Sequence, residues 1–257
     1  MIETVETERI LSCVMELLQR MTEAGAEIYR IEESASAILK SYGAYKAEVY
    51  ATPSNIILSV EMEEGKILTH TGRIGEISTN IEKLHRLNSL VRRISRERIP
   101  SAKLREELDL IEETPHYPVP VLIFFYGLIA GAFYLFFGGR DYVELVFSFG
   151  IGLLTGVWHR LFGSIQLNQI LIKFLCSFSA CMLSFALGKI GLAENTEYMI
   201  IGNIMTLIPG IGLTNSLRDI FVGDSISGVL RLMEAALLAL AIAGGYILNS
   251  VIFGGAL

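Results

Sequence analysis

Apolar positions in the first part of the chain recur at two different periods. Ile10, Val14, Leu17, Leu18 and Met21 fall three or four apart until Gly25 interrupts them, which predicts a first helix. Ile28, Ile31, Ala35, Ile38 and Leu39 share one face of a second helix that stops near Gly43. Over 46–52 and 55–62 the period drops to two, and Ile56, Leu58, Val60 and Met62 fall on one side of a strand. The Glu63-Glu64-Gly65-Lys66 turn then leads to a third strand at 67–71. Helical spacing returns with Ile77, Ile81, Leu84, Leu87, Val91 and Ile94, opened by a Thr79-x-x-Glu82 capping box. A short last helix, 101–112, aligns Leu104, Leu108 and Ile111 before Pro115, Pro118 and Pro120. The order ααβββαα describes a small α+β domain over 1–118 with enough apolar residues for a core of its own.

Beyond Pro118 the alternation is lost in long apolar stretches, and five candidate spans cover about 119–137, 143–160, 170–188, 198–213 and 231–253. The first is uncharged, and its nineteen residues reach about 28 Å at 1.5 Å per residue, close to the hydrocarbon thickness. The fourth is short and broken at Pro209-Gly210; the fifth carries Glu234 near its start. The fold class is therefore an α-helical polytopic membrane protein of about five transmembrane helices with an N-terminal soluble α+β domain. With that domain inside, the inner loops hold Arg160, Lys173, Arg218 and Arg231, and the outer loops hold Arg140 and Lys189. Four against two favours an N-terminus in the cytoplasm.

Charge follows the same division. Residues 1–118 hold 35 of the 48 charged side chains, and the 139 residues after them hold 13. The net charge of −6 argues against a nucleic-acid partner, which needs a basic surface. Cys13, Cys176 and Cys181 form no CxxC or Cys/His cluster, so neither a disulfide framework nor a metal site is expected. The acidic, amphipathic start MIETVETERILSCV has neither the basic nor the apolar region of a cleaved signal, in agreement with a cytoplasmic domain.

The densest polar content near the membrane lies at 209–235. Asp224, Ser227, Arg231 and Glu234 stand at offsets of one helical face, and Asn215 with Asp219, like Thr214 with Arg218, are four apart. Two facing polar stripes beside a helix broken at Pro209 and Gly210 would form a solute site. There an Arg holds a carboxylate bidentately, and an Asp or Glu takes an ammonium group or a proton. The same residues read equally well as a cytoplasmic loop in which Arg218, Asp219 and Asp224 are solvated or paired at a helix end. Asn203, in the middle of the fourth span, is either a pathway residue or an interhelical hydrogen-bond partner. In the soluble domain Glu27, Arg30 and Ser34 share one helical face, and Glu27 with Arg30 stands at ion-pair spacing, either a functional pair or a solvated salt bridge. His70, flanked by Thr69 and Thr71, is a candidate base or a sheet-surface histidine. Arg92, Arg93, Arg96 and Arg98 read as a solvated helical face, or one that touches anionic headgroups. No GxSxG elbow, Walker loop or HExxH motif is present.

AGAEIYRIEES at 24–34, the Pro53-Ser54-Asn55 junction and LHRLNSLVRRIS resemble the N-terminal domain of the bacterial threonine/serine exporter family. FGG at 137–139, GNIMTLIPGIGLTNSLRDIFVGDSISGVLRLMEA at 202–235 and IAGG at 242–245 resemble its membrane half. The resemblance places Pro209, Gly210, Thr214, Asn215, Arg218, Asp219, Gly223, Asp224, Gly228, Arg231 and Glu234 on the family's motif positions. Glu27, Arg30 and Glu32 fall on those of the N-terminal motif. It also implies the larger subunit of the family's split form, whose partner is a smaller membrane protein of about 150 residues and about five spans. Some split members export dicarboxylates such as succinate. The expectation is an exporter subunit in a bacterial inner membrane, working as a hetero- or homo-oligomer on a small-molecule substrate, without cofactor, metal or catalytic residues. The competing readings are a membrane-anchored cytoplasmic enzyme, for which His70 would be needed, and a membrane scaffold or sensor.

Overall fold

The computed structural model describes residues 2–62, 65–114, 117–165 and 167–253. Helices dominate, one three-stranded antiparallel sheet accompanies them, and the chain divides into two compact units. The division does not follow the chain order. Residues 211–232 belong with the N-terminal unit that runs to residue 115, and 233 onward belongs with the helical unit that ends at Gly210.

In the first unit α1 (Ile2–Glu23) and α2 (Ile28–Ser41) are followed by β1 (Ala44–Ala51), β2 (Asn55–Met62) and β3 (Ile67–Arg73), paired in the order β1-β2-β3. α3 (Ile81–Ile94) and α4 (Ser101–Glu112) complete the ααβββαα order. The apolar stripes of Val14, Leu17 and Leu18, of Ile31 and Ile38, of Leu87 and Ile94, and of Leu104 and Leu108 meet Ile56, Leu58 and Val60 in one core. β2 buries these alternate residues and leaves Ile57 exposed, as its period of two requires. The cap of α3 differs from expectation. Asn80, not Thr79, accepts the hydrogen bond from the Lys83 N–H at 3.0 Å, and the helix starts at Ile81. With the cap one residue later, the orphan N–H it serves is that of Lys83 rather than Glu82. The Glu63-Glu64 part of the predicted turn lies outside the described residues.

The second unit contains α5 (Val119–Phe136), α6 (Tyr142–Ser164), α7 (Gln169–Lys189), α8 (Thr196–Met205) and the larger part of α10 (Ser225–Ile252). Among the described residues four helices, α5, α6, α7 and α10, are long and apolar enough to cross a bilayer. α8 with α9 (Gly210–Val222) makes a fifth candidate bent by 57°. Close packing depends on missing side chains: a Cβ at Gly152 would stand 2.8 Å from Gly127 Cα and from the Tyr126 carbonyl, and one at Gly202 2.7 Å from the Ala130 carbonyl.

The stretch expected to span as 198–213 is not one helix. α8 stops at Met205, where the Thr206 N–H and hydroxyl both turn back to the Asn203 carbonyl. Pro209 then holds Ile208 out of the helical region and opens α9 rather than interrupting it. α10 begins at Ser225, six residues earlier than the span expected at 231. Its 28 residues reach about 42 Å, more than a hydrocarbon core requires.

Candidate functional site: the α9–α10 elbow

α9 and α10 are joined by a reversal of only two residues, Gly223 and Asp224. Gly223 has φ +110, a conformation that costs glycine little, and the Asp224 N–H returns to the Asp219 carbonyl at 2.9 Å. Gly228 lets the helices approach each other: a Cβ there would meet Ser216 O at 2.8 Å. The elbow so formed carries Asn215, Arg218, Asp219, Ser227 and Arg231 to one place, the turn between α1 and α2 and the end of β1.

The joints at this place end on backbone carbonyls, a carboxylate and a phenol. Asn215 Nδ2 donates to Gly25 O at 3.3 Å, Arg231 Nη2 to Ala26 O at 2.8 Å and Ser227 Oγ to Ala51 O at 3.2 Å. Arg218 grips Glu27 Oε1 through Nη1 at 2.5 Å and donates to Tyr29 Oη through Nη2 at 2.6 Å. The other Glu27 oxygen, Oε2, takes Arg30 Nε at 2.7 Å, so one carboxylate bridges two guanidiniums. Glu27 occupies the N-cap position of α2 without capping it, because both oxygens are engaged elsewhere.

Asp219 fills part of that vacancy. It is 0% exposed and Arg231 is 7% exposed, with Arg231 Nη1 to Asp219 Oδ2 at 3.7 Å. Neither Asp219 oxygen makes a hydrogen bond of full geometry among the described residues. The Arg231 guanidinium and the Ile28 N–H, first of α2, are the groups that offset its burial. Nearby, Glu32 Oε1 accepts the Ala51 N–H at 3.0 Å and fixes the end of β1. Burial pushes the Glu32 carboxyl above its usual range; the Ala51 hydrogen bond opposes this, and the charge of Asp224 adds to it.

The predicted site residues thus fall into three groups. Asn215, Arg218, Asp219, Ser227 and Arg231 converge with Glu27 and Arg30, while Glu32 and Asp224 stand beside them. Pro209 and Gly210 precede and open α9, which carries Thr214 on an exposed position, and Glu234 is exposed on α10 within the second unit. Asn203 and His70 lie elsewhere. His70 sits in the middle of β3 opposite Leu58, two strands from Ala51, and none of the elbow's bonds uses it.

Asn203 is 0% exposed in the second unit, where Nδ2 donates to Met199 O at 2.9 Å and stands 3.3 Å from Ser148 Oγ. Its Oδ1 is buried without a partner among the described residues. One turn from Ser148 along α6, Glu144 is 2% exposed. It accepts Tyr134 Oη at 2.7 Å and the N–H groups of Glu194 and Asn195, each at 2.7 Å. Sequence reasoning missed Glu144. The available signal was an acidic residue in the first turn of an apolar helix, four before Ser148.

The family model described as "Putative threonine/serine exporter" matches residues 12–253. The chain belongs to this exporter family. Among curated relatives, "Threonine/serine exporter" of Corynebacterium glutamicum is 24% identical over 81% of this chain and 44% of its own. The chain therefore spans less than half the length of that relative. "Probable succinate transporter subunit YjjP" of Klebsiella aerogenes is 24% identical over 96% of this chain and 94% of its own; the Escherichia coli protein of the same name is equally similar. No solved structure matches the chain. The family and the apolar helices make this a multi-pass membrane protein of an exporter family, and its named relatives are transporters rather than enzymes.

Proposed function

We propose that the chain is one subunit of a secondary-active exporter in a bacterial cytoplasmic membrane, with its N-terminal domain inside. It moves small carboxylate metabolites outward, either threonine and serine or a dicarboxylate such as succinate. Two relatives carry the word subunit in their names, which supports a partner, and a smaller membrane protein of about five spans is the partner proposed. The proton gradient supplies the energy; Asp219, buried beside Arg231, is the carrier favoured over exposed Glu234.

The observation that carries this reading is the joint of Arg218 with Glu27 and Tyr29. It holds α9, while Ser227 and Arg231 hold the first two turns of α10, a membrane-crossing helix, on the same N-terminal unit. A helix tied in this way transmits any movement of the domain into the membrane, as a gate requires. Parity supports five crossings. The elbow shares a compact unit with the soluble domain, so the chain leaves that domain's side at Val119 and is back on it by Ile211. Return requires an even number of crossings: α5, α6, α7, and α8 with the turn and the two residues that lead into α9. The twelve residues of α8 and its closing turn and the two extended residues before α9 reach about 25 Å, so the fourth crossing is a short one. α10 is the fifth. Asn203, Ser148 and Glu144 form the buried polar column that the substrate would follow.

The test is efflux from cells preloaded with labelled threonine, serine or succinate, with the partner subunit co-expressed. Wild type exports at least one of the three. Arg218→Gln, at equal membrane levels, lowers that rate about tenfold or more, as loss of a charge-assisted pair predicts. Equal efflux in the variant removes the joint from the mechanism, and no efflux of any of the three from wild type removes the substrate class.

A further inference from the structure

A second basic feature lies in the same compact unit, on the side of α2 that faces α3. A groove of about 500 Å³ runs between these helices, and Tyr29, Arg30, Glu33, Asn88, Arg92 and Arg96 are among its walls. Sequence spacing alone suggests a solvated stripe for the arginines, but two details oppose that. Arg30 comes from α2, Arg92 from the last turn of α3 and Arg96 from the turn just after it, and all three line one concavity. Their neighbours on the same stripe are occupied elsewhere: Arg93 pairs with Glu107 at 2.7 Å, and Arg98 donates to Ser41 O at 2.6 Å. Arg92 donates only to Ser89 Oγ, at 2.9 Å, and neither Arg92 nor Arg96 has an acidic partner among the described residues.

The charge of the walls selects the guest. Arg30, Arg92 and Arg96 in the walls and Arg218 just outside them, four guanidiniums, against the two carboxylates of Glu33 and Glu27 leave a net of +2 around a groove with an amide and two hydroxyl-bearing serines, Ser34 and Ser95. The volume falls within the range of small-molecule sites, roughly 300–1,000 Å³, and exceeds what one carboxylate fills. Guanidinium forks match carboxylates bidentately. We propose that this α2–α3 groove is a cytoplasm-facing binding site for a small dicarboxylate dianion. Arg92 and Arg96 hold one carboxylate and Arg30 the other. Arg30 and Tyr29 also contact the elbow joint, Arg30 through Glu27 and Tyr29 through Arg218. Occupancy of the groove therefore acts on the grip that Glu27 has on Arg218, and the site senses the ligand rather than conducting it. The binding claim does not depend on the transport reading; only the sensing role does.

The experiment is calorimetric titration of the full-length protein in nanodiscs of zwitterionic lipid, with succinate, acetate and inorganic phosphate as separate probes. Succinate is expected to bind, acetate at least tenfold more weakly, and Arg92→Gln/Arg96→Gln to weaken succinate at least tenfold without changing thermal stability. Undiminished succinate binding in the double variant would overturn the groove site while leaving an exporter intact, since it would place the ligand in the membrane half. Absence of succinate binding to the folded wild type would overturn it as well. A phosphate signal that is lost in the double variant, together with loss of retention on phosphatidylglycerol vesicles and no succinate signal, would assign the arginines to lipid headgroups instead. Should the double variant unfold, Asn88→Leu, which narrows the same groove from α3 without altering charge, is expected to weaken succinate; unchanged binding there counts against the site.

Discussion

Replacing Arg231 by Met tests the most deeply buried part of the elbow. The guanidinium is 7% exposed, donates to Ala26 O at 2.8 Å and stands 3.7 Å from the wholly buried Asp219. Methionine keeps most of the apolar stem, so little volume is lost. What is lost is a charge-assisted hydrogen bond, worth about 1.5–3 kcal/mol, and the charge that offsets Asp219. Removing one partner of a buried pair costs about 3–5 kcal/mol, because the other charge stays behind without compensation. Apolar packing of the methionine returns about 1–2 kcal/mol, which leaves a net loss of about 3 kcal/mol. For a unit of this size each kcal/mol lowers the melting temperature by about 2–4 °C, so the expected fall is about 6–12 °C. Thermal unfolding in detergent, followed by circular dichroism, measures it. The companion variant Asp219→Asn/Arg231→Met removes both charges and should recover about half or more of the loss. A fall of less than about 2 °C in the single variant, or a double variant no more stable than the single one, refutes the account of a coupled buried pair.

Two further outcomes follow from the same region. Gly228→Ala would place a methyl group 2.8 Å from both Ser216 O and Ile220 N, so α9 and α10 must move apart. A loss of about 1–3 kcal/mol is expected in the same unfolding assay, and a neutral effect would show that the crossing is looser than its geometry. Glu32→Gln concerns pH. Because burial holds the folded carboxyl above its ordinary 4.5, the unfolded chain gives up this proton first, and wild-type stability falls as pH rises from that value through the folded one. Glutamine can still accept the Ala51 N–H but does not ionise. Its stability relative to wild type should therefore be greater at about pH 8 than at about pH 4, and a difference independent of pH contradicts the assignment.

Much of this architecture was legible in the chain itself. The stripes at Leu104 and Leu108 and the alternation at Ile56, Leu58 and Val60 fixed helices and strands close to where they stand, because a one-sided core imposes its period on sequence. The apolar stretches located the helices long and apolar enough to cross a bilayer for a similar reason: hydrocarbon accepts few charges, and its thickness sets a length. The ion pair of Glu27 with Arg30 was also readable, being local. The cap at Asn80 was not, since Thr79 offers the same chemistry one residue away and only the backbone path decides between them.

Partnership between distant segments belongs to the tertiary structure alone. Sequence marked 209–235 as a polar cluster and left it as either a membrane cavity or a solvated loop. The folded chain places its later part against the α1–α2 turn, nearly two hundred residues earlier, with Arg218 on Glu27 and Arg231 on Ala26. Neither partner carries a periodic signal, and a backbone carbonyl such as Gly25 or Ala51 carries no residue-type signal at all. Periodicity records which side of an element is buried, because every element pays the same solvent cost. It does not record what lies on the other side, and here that choice placed the charges of α9 and α10 against the α1–α2 turn.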